Sequence, residues 1–408
     1  MKIGTRIQLS LMMFLNFFIW GGWFVTMGTY LEKVLNASGK QIGNAYAAMA
    51  IATIISPFFV GLIADKFFSA QKLLGMLHLA GAALLFYLSK IGNANIFYWV
   101  VLLYSLLYAP TLALVNSVAF RQMNDPAKEF PSIRFLGTIG WITTGFLIDK
   151  VFKISTDQLS LTFIMAAVAS AVLGLMSFTL PDTPPKAKGM KTSFAQALGA
   201  DALVLFKDKA FVIFFIASVL ICIPLAFYYS LTNLFLTDAG MKSVTSNMTL
   251  GQFSEAFFIL LIPFLFRKLG VKWMIAIGML AWTIRFIFFS YGDAGPNLWM
   301  LFAGIILHGV CFDFFFVTGQ IYTDSKAGQK IQSSAQGLIT MGTYGIGIFI
   351  GSLLSGYVKD YYTVAEIADW KTIWLVPAGI AAVVLVLFII LFNEKNKQPN
   401  KLVPAETQ

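Results

Sequence analysis

Long unbroken apolar runs dominate this 408-residue chain, in place of the strand-like alternation or narrow apolar stripe of a soluble fold. Runs of about 20 residues, each long enough to cross about 30 Å of hydrocarbon as a helix, recur from end to end. They predict twelve spans: 7–31, 42–64, 73–89, 96–120, 133–149 and 159–180, then 210–236, 249–266, 273–291, 297–322, 333–358 and 372–392. No series of short alternating segments suggests a transmembrane barrel. The first run is too long for a cleaved leader, carries Trp20 and Trp23, and lacks a small-residue cleavage site. The expectation is an all-α membrane protein.

Composition supports this reading. Hydrophobic residues make up 58% of the chain and charged residues 12%, and the mean hydropathy is +0.77. A soluble domain carries about 25% charged residues, so a soluble multi-domain enzyme is excluded. The 40 Phe and 9 Trp exclude disorder. A net charge of +10 from charges this sparse makes no basic stripe for nucleic acid; the charges report topology instead. With the N-terminus inside, the cytoplasmic segments hold 19 Lys and Arg and the opposite side holds 8, which places both termini in the cytoplasm. Cys222 and Cys311 sit in apolar runs and give neither a disulfide framework nor metal spacing. No nucleotide loop, zinc motif or nucleophile elbow is present, so no cofactor, metal or enzymatic activity is expected.

The longest interior connection, Pro181 to Lys209, separates a six-span half (1–180) from a second (210–392), with a tail at 393–408. Two six-helix halves joined by a basic linker is the layout of the major facilitator superfamily, whose halves rock about a midplane site. The loop after the second span reads Gly61-Leu-Ile-Ala-Asp65-Lys66 and resembles that superfamily's Gly-x-x-x-Asp-(Arg/Lys) loop without its downstream basic portion. Gly61, Asp65 and Lys66 are thus candidates for a charge latch closing the cytoplasmic side; the plainer alternative is that Asp65 caps a helix end.

Nearly all of the 19 acidic residues fall in loops or at span ends. Glu255 and Asp313 do not. An ionised group at mid-span costs about 2.5–3.5 kcal/mol even on lenient scales, so each must face a cavity, find a partner or stay protonated. Asp313 lies in Phe312-Asp313-Phe314-Phe315-Phe316, where the rings strip water from its carboxyl and make a charge expensive. Proton coupling needs such a group, neutral in one state and ionised in another. Arg285, mid-span in the ninth helix, is its candidate counter-charge. A structural ion pair, and a snorkelling Arg285, are the alternatives. Gln252 stands one turn before Glu255 on one face of the eighth helix, an arrangement suited to sugar hydroxyls or a base edge. Arg134, Thr138 and Trp141 form an i, i+4, i+7 stripe of cation, hydroxyl and ring on the fifth helix, unless Arg134 only flanks the membrane. His308 is placed to bind substrate or a neighbouring helix; His78 reads as structural.

Several segments then resemble bacterial nucleoside:proton symporters. They are Phe14-Leu15-Asn16-Phe17-Phe18-Ile19-Trp20-Gly21-Gly22-Trp23, Ile63-Ala64-Asp65-Lys66, Phe130-Pro131-Ser132-Ile133-Arg134 with Gly137-Thr138-Ile139-Gly140, Ser254-Glu255, Phe312-Asp313-Phe314-Phe315 and Ser334-Ala335-Gln336-Gly337. They fall in order over nearly the whole chain. The resemblance implies a major facilitator fold and proton-driven nucleoside uptake by a monomer in the bacterial inner membrane. It also implies substrate contacts at Arg134, Thr138, Trp141, Gln252, Glu255 and Phe312, with Asp313 tied to proton coupling. The chain departs from the family in three places: the seventh helix reads Leu225-Ala226-Phe227-Tyr228-Tyr229 in place of amides, His308 stands for a Tyr, and Phe316 for an Asn. Tyr229 therefore joins the expected pocket as a ring. The rival readings are a proton symporter for another polar solute such as a sugar, and a non-transporting membrane receptor or enzyme.

Overall fold

The computed structural model describes residues 1–59, 68–185 and 200–394, and among these it holds twelve long helices and one short hairpin. Helix α1 runs Ile3–Phe24 and, after a break at Val25 and Thr26, continues as Met27–Lys33. Helices α2 (Gly39–Phe59), α3 (Ala70–Leu88), α4 (Ala94–Arg121), α5 (Pro126–Phe146) and α6 (Ser160–Ser177) follow. Side chains cap two of their starts: Asn93 accepts from the Asn95 and Ile96 amides, and Asp125 from that of Lys128. Helix α7 is Lys209–Asp238. Two continuous helical stretches then hold two spans each. The first divides at Gly270 (φ 68°) into α8 (250–269) and α9 (271–291); the second divides at Gly328 (φ 63°) into α10 (298–327) and α11 (329–361). A left-handed φ is free for glycine and costly for other residues, so glycine sits at both reversals. Strands β1 (Thr363–Val364) and β2 (Ile367–Ala368) lead to α12 (Trp370–Leu391).

Each of the twelve runs read from the sequence lies, over its described residues, on one of these helices. Gly61, Asp65 and Lys66 lie outside the described residues, as do residues 186–199 of the linker and the tail beyond 394.

Two large hydrophobic cores form, with a smaller cluster of Ile262, Met274 and Phe314 beside the second. Trp23, Tyr30, Phe97, Tyr104 and Phe163 anchor one among α1–α6, and Phe211, Trp282, Phe286 and Trp374 anchor the other among α7–α12. The outer face stays apolar: Trp99, Leu175, Leu260 and Ile390 are each at least 64% exposed, which water would not tolerate at this density but hydrocarbon does.

The first half also buries a closed polar network. Ser170 donates its hydroxyl proton to the His78 carbonyl (2.8 Å), so across the 3.1 Å contact His78 Nδ1–H must donate to Ser170 Oγ. Nε2 of His78 then accepts from Asn16 Nδ2 (3.4 Å), which also donates to Thr111 Oγ1 (3.2 Å). Tyr108 donates to Asn16 Oδ1 (2.9 Å), and Thr111 to the Tyr108 carbonyl (2.6 Å). Every proton has a place, so His78 fixes the packing of α1, α3, α4 and α6. His78→Phe strands Asn16 and Ser170 and is expected to lower stability by about 1–3 kcal/mol. Thermal unfolding in detergent checks this, with the activity per folded molecule unchanged.

Polar contacts between the halves, among the described residues, all gather at one end of the molecule, where α1 ends and α2 begins. Thr29 donates to Asn233 (2.6 Å), Lys33 pairs with Asp238 (2.7 Å) and Lys359 with Glu32 (2.5 Å). Asp360 of α11 accepts from the Gly39 and Lys40 amides (2.5 and 2.9 Å), capping the start of α2 from the other half. Asp149 likewise accepts from the Ser246 amide (2.6 Å).

Candidate functional site

Below that closed end, α1, α5, α7, α8 and α10 line a small pocket between the halves. Its wall carries four aromatic rings, Phe24, Trp141, Tyr228 and Tyr229, with Gln252 and His308 as its amide and imidazole. Trp141 is held edge-on by Trp20 (5.4 Å, 83°), and Tyr229 by Phe24 of the other half (5.7 Å, 68°).

Of the residues expected from the sequence, Trp141, Tyr229, Gln252 and His308 line this cavity. Arg134 and Thr138 lie two turns and one turn along α5 from Trp141, toward the end away from the interhalf contacts, so Arg134 sits roughly 10 Å further along the axis. Glu255 lies one turn beyond Gln252 in the same direction. The two charges act on one another across the interface, yet no oxygen–nitrogen approach falls within 4.0 Å. Arg134 rests on the Phe17 ring at 4.1 Å, which holds the guanidinium without neutralising it. Glu255 also acts on Asp313, placing cation, acid and acid in sequence from α5 to α8 to α10.

Asp313 is fully buried, and neither carboxyl oxygen has a hydrogen-bond partner among the described residues. It opens a wide π turn, Asp313–Val317, and local irregularities of this kind are frequent at working sites. Phe314, Phe315 and Phe316, the next residues of this turn, are buried as well. An ionised carboxylate without partners is too costly to hold here, whereas one that takes up a proton is not. Phe312 packs on His308 (5.7 Å) and Phe316 (4.9 Å).

Arg285 is also fully buried but does not meet Asp313 within 4.0 Å, contrary to the simplest expectation from two mid-span charges. It lies 3.4 Å over the Tyr228 ring and donates from Nη1 to His308 Nδ1 at 3.2 Å, leaving Nε and Nη2 without partners among the described residues. Ser254 donates to the Ile306 carbonyl (2.5 Å), fixing α8 on α10. Three hydroxyl residues on the wall, Thr144, Thr245 and Thr249, carried no signal in the sequence, because a threonine in a membrane helix is inexpensive wherever it points.

A central cavity between two six-helix halves defines a major facilitator transporter, not an enzyme. The profile of the nucleoside H+ symporter family matches residues 1–397, and the chain belongs to that family. It is 42% identical to YegT of Escherichia coli (strain K12), over 97% of this chain and 95% of that protein. It is 36% identical to the xanthosine permease of the same organism, over 98% of each. The crystal structure of the nucleoside transporter NupG superposes with a TM-score of 0.88 at 33% identity, covering 96% of this chain and all of that one.

Proposed function

We propose that this protein imports nucleosides together with protons across the bacterial inner membrane, as a monomer with both termini in the cytoplasm. The observation that carries the reading is one pocket between the halves, walled by Trp141, Tyr228, Tyr229, Gln252 and His308, on the same helices that carry Arg134, Glu255 and the buried Asp313, whose carboxyl has no partner among the described residues. Flat bases stack on Trp141, Tyr229 and Phe312, and stacking tolerates any base. Gln252, Glu255, Arg134, Thr138 and His308 supply directional partners for ribose and the base edge. Asp313 carries the proton, and Arg285 on the facing helix is the cation available to it once ionised.

In this arrangement the halves 1–180 and 210–392 rock about the cavity, and the closed end is periplasmic. The loop holding Gly61, Asp65 and Lys66 latches the cytoplasmic side in the opposite state. Removing one charge-assisted contact from the closed end destabilises it by about 1 kcal/mol, or roughly fivefold in population. Asp360→Ala is therefore expected to raise external labelling of a cysteine placed at Thr29 by about that factor. Both native cysteines are buried and give little background.

Competition tests the substrate class. Uridine, adenosine and inosine are expected to inhibit labelled-uridine uptake comparably, whereas ribose and disaccharides do not. A base-free sugar that competes better than any nucleoside contradicts the assignment.

A further inference from the structure

We propose that Arg285, Tyr228 and Gly251 are positioning residues that hold His308 as a fixed hydrogen-bond donor, its Nε2–H directed into the cavity at an acceptor atom of the base. The proposal rests on the nucleoside reading above and extends it to a device in this chain's own pocket.

Three independent constraints meet on one imidazole. The first sets its proton. A guanidinium only donates, so across the 3.2 Å contact His308 Nδ1 must accept from Arg285 Nη1, and the proton of the neutral ring sits on Nε2. The second sets its plane. The ring stacks on Tyr228 at 5.4 Å and 20°, and the guanidinium rests on that same tyrosine at 3.4 Å. The third sets its place. The backbone of α8 passes so close that a Cβ on Gly251 would meet His308 Cβ at 3.1 Å and ring Cδ2 at 3.3 Å. A side chain there would push the imidazole aside by a few tenths of an ångström.

The remaining nitrogen faces the site. Nε2 of His308 has no hydrogen-bond partner among the described residues, yet it is not among the sealed unpartnered atoms, and the residue lines the cavity. A fixed N–H there suits a pyrimidine carbonyl or a purine ring nitrogen equally. It offers nothing to a ligand whose only groups at that place are donors. A buried guanidinium without a counter-ion in reach is costly, and its retention beside His308 is explained if it sets the polarity of the pocket wall. The same guanidinium then serves His308 in the state described here and Asp313 in another.

The chain has two histidines, so 15N-histidine labelling of the full-length protein gives two imidazoles, assigned by the spectrum of His308→Phe. In ligand-free wild type, His308 is expected as the Nε2–H tautomer and His78, from the network in the first half, as Nδ1–H. Arg285→Gln should convert His308 to a tautomer mixture. Loss of one directed hydrogen bond is worth up to about tenfold in affinity. Arg285→Gln, Gly251→Ala and His308→Phe are each expected to weaken uridine by about that factor. In the His308→Phe background the other two should add less than about twofold, whereas purely structural roles would add in full. His308→Gln, whose amide reaches to where Nε2–H stands, should keep affinity within about threefold. An Nδ1–H or doubly protonated His308 in the ligand-free wild type overturns the proposal and needs no variant to fold. Full additivity with His308→Phe overturns it as well. A wild type that binds no uridine sinks the nucleoside reading instead, while the ligand-free spectrum still decides whether Arg285 sets the tautomer.

Discussion

Asp313→Asn is expected to abolish accumulation of nucleoside against a gradient while leaving exchange across the membrane intact. The carboxyl is fully buried, followed by the buried Phe314, Phe315 and Phe316, and neither oxygen has a partner among the described residues. Asparagine mimics its protonated form in size and polarity but cannot release a proton. The coupled driving force is about 2.3 kcal/mol per charge per 100 mV, equivalent to roughly fiftyfold accumulation at that potential. Without a titrating group at this position the ratio should fall to about one, with counterflow of labelled uridine against unlabelled uridine continuing. Undiminished accumulation in the Asn variant would remove Asp313 from the coupling step.

Glu255→Ala carries the second large effect, in binding. Glu255 and Arg134 act on one another without an oxygen–nitrogen approach within 4.0 Å, and the proposed reading places the ligand between them. A hydrogen bond to a charged group is worth about 1.5–3 kcal/mol, so the alanine variant should weaken uridine more than tenfold. Deleting the acid also strands the Arg134 cation, and Arg134→Ala should bring a loss of the same order. The double variant should cost clearly less than the two single losses combined, because both remove one bridged arrangement. Equilibrium binding on purified protein reads all three. Normal affinity in Glu255→Ala would reduce that residue to packing or coupling.

The twelve spans, the six-and-six division and the two expensive acids were legible in the sequence because the membrane penalises departures heavily. A charge at mid-span must have a reason, so Glu255, Asp313 and Arg285 stood out. Position on a helix was readable too: the stripe of Arg134, Thr138 and Trp141 does run along α5 toward the cavity. Partnership was not. Nothing in the spacing of Arg285 and Asp313 reveals that the guanidinium lies on Tyr228 and His308, since that depends on how α7, α9 and α10 are rotated against each other. The wall residues Thr144, Thr245 and Thr249 were silent for the opposite reason, being cheap anywhere in a bilayer. The contacts at the closed end were hidden because Glu32, Lys33, Asp238, Lys359 and Asp360 read as ordinary loop charges until the fold brings them together.

The most direct measurement is uptake of labelled uridine by proteoliposomes of the purified protein under an imposed pH gradient, acid outside. Uridine should rise above its equilibrium level while the gradient lasts, and a protonophore should collapse that excess. Uptake that merely equilibrates whatever the gradient, or none at all, would contradict proton-coupled nucleoside transport.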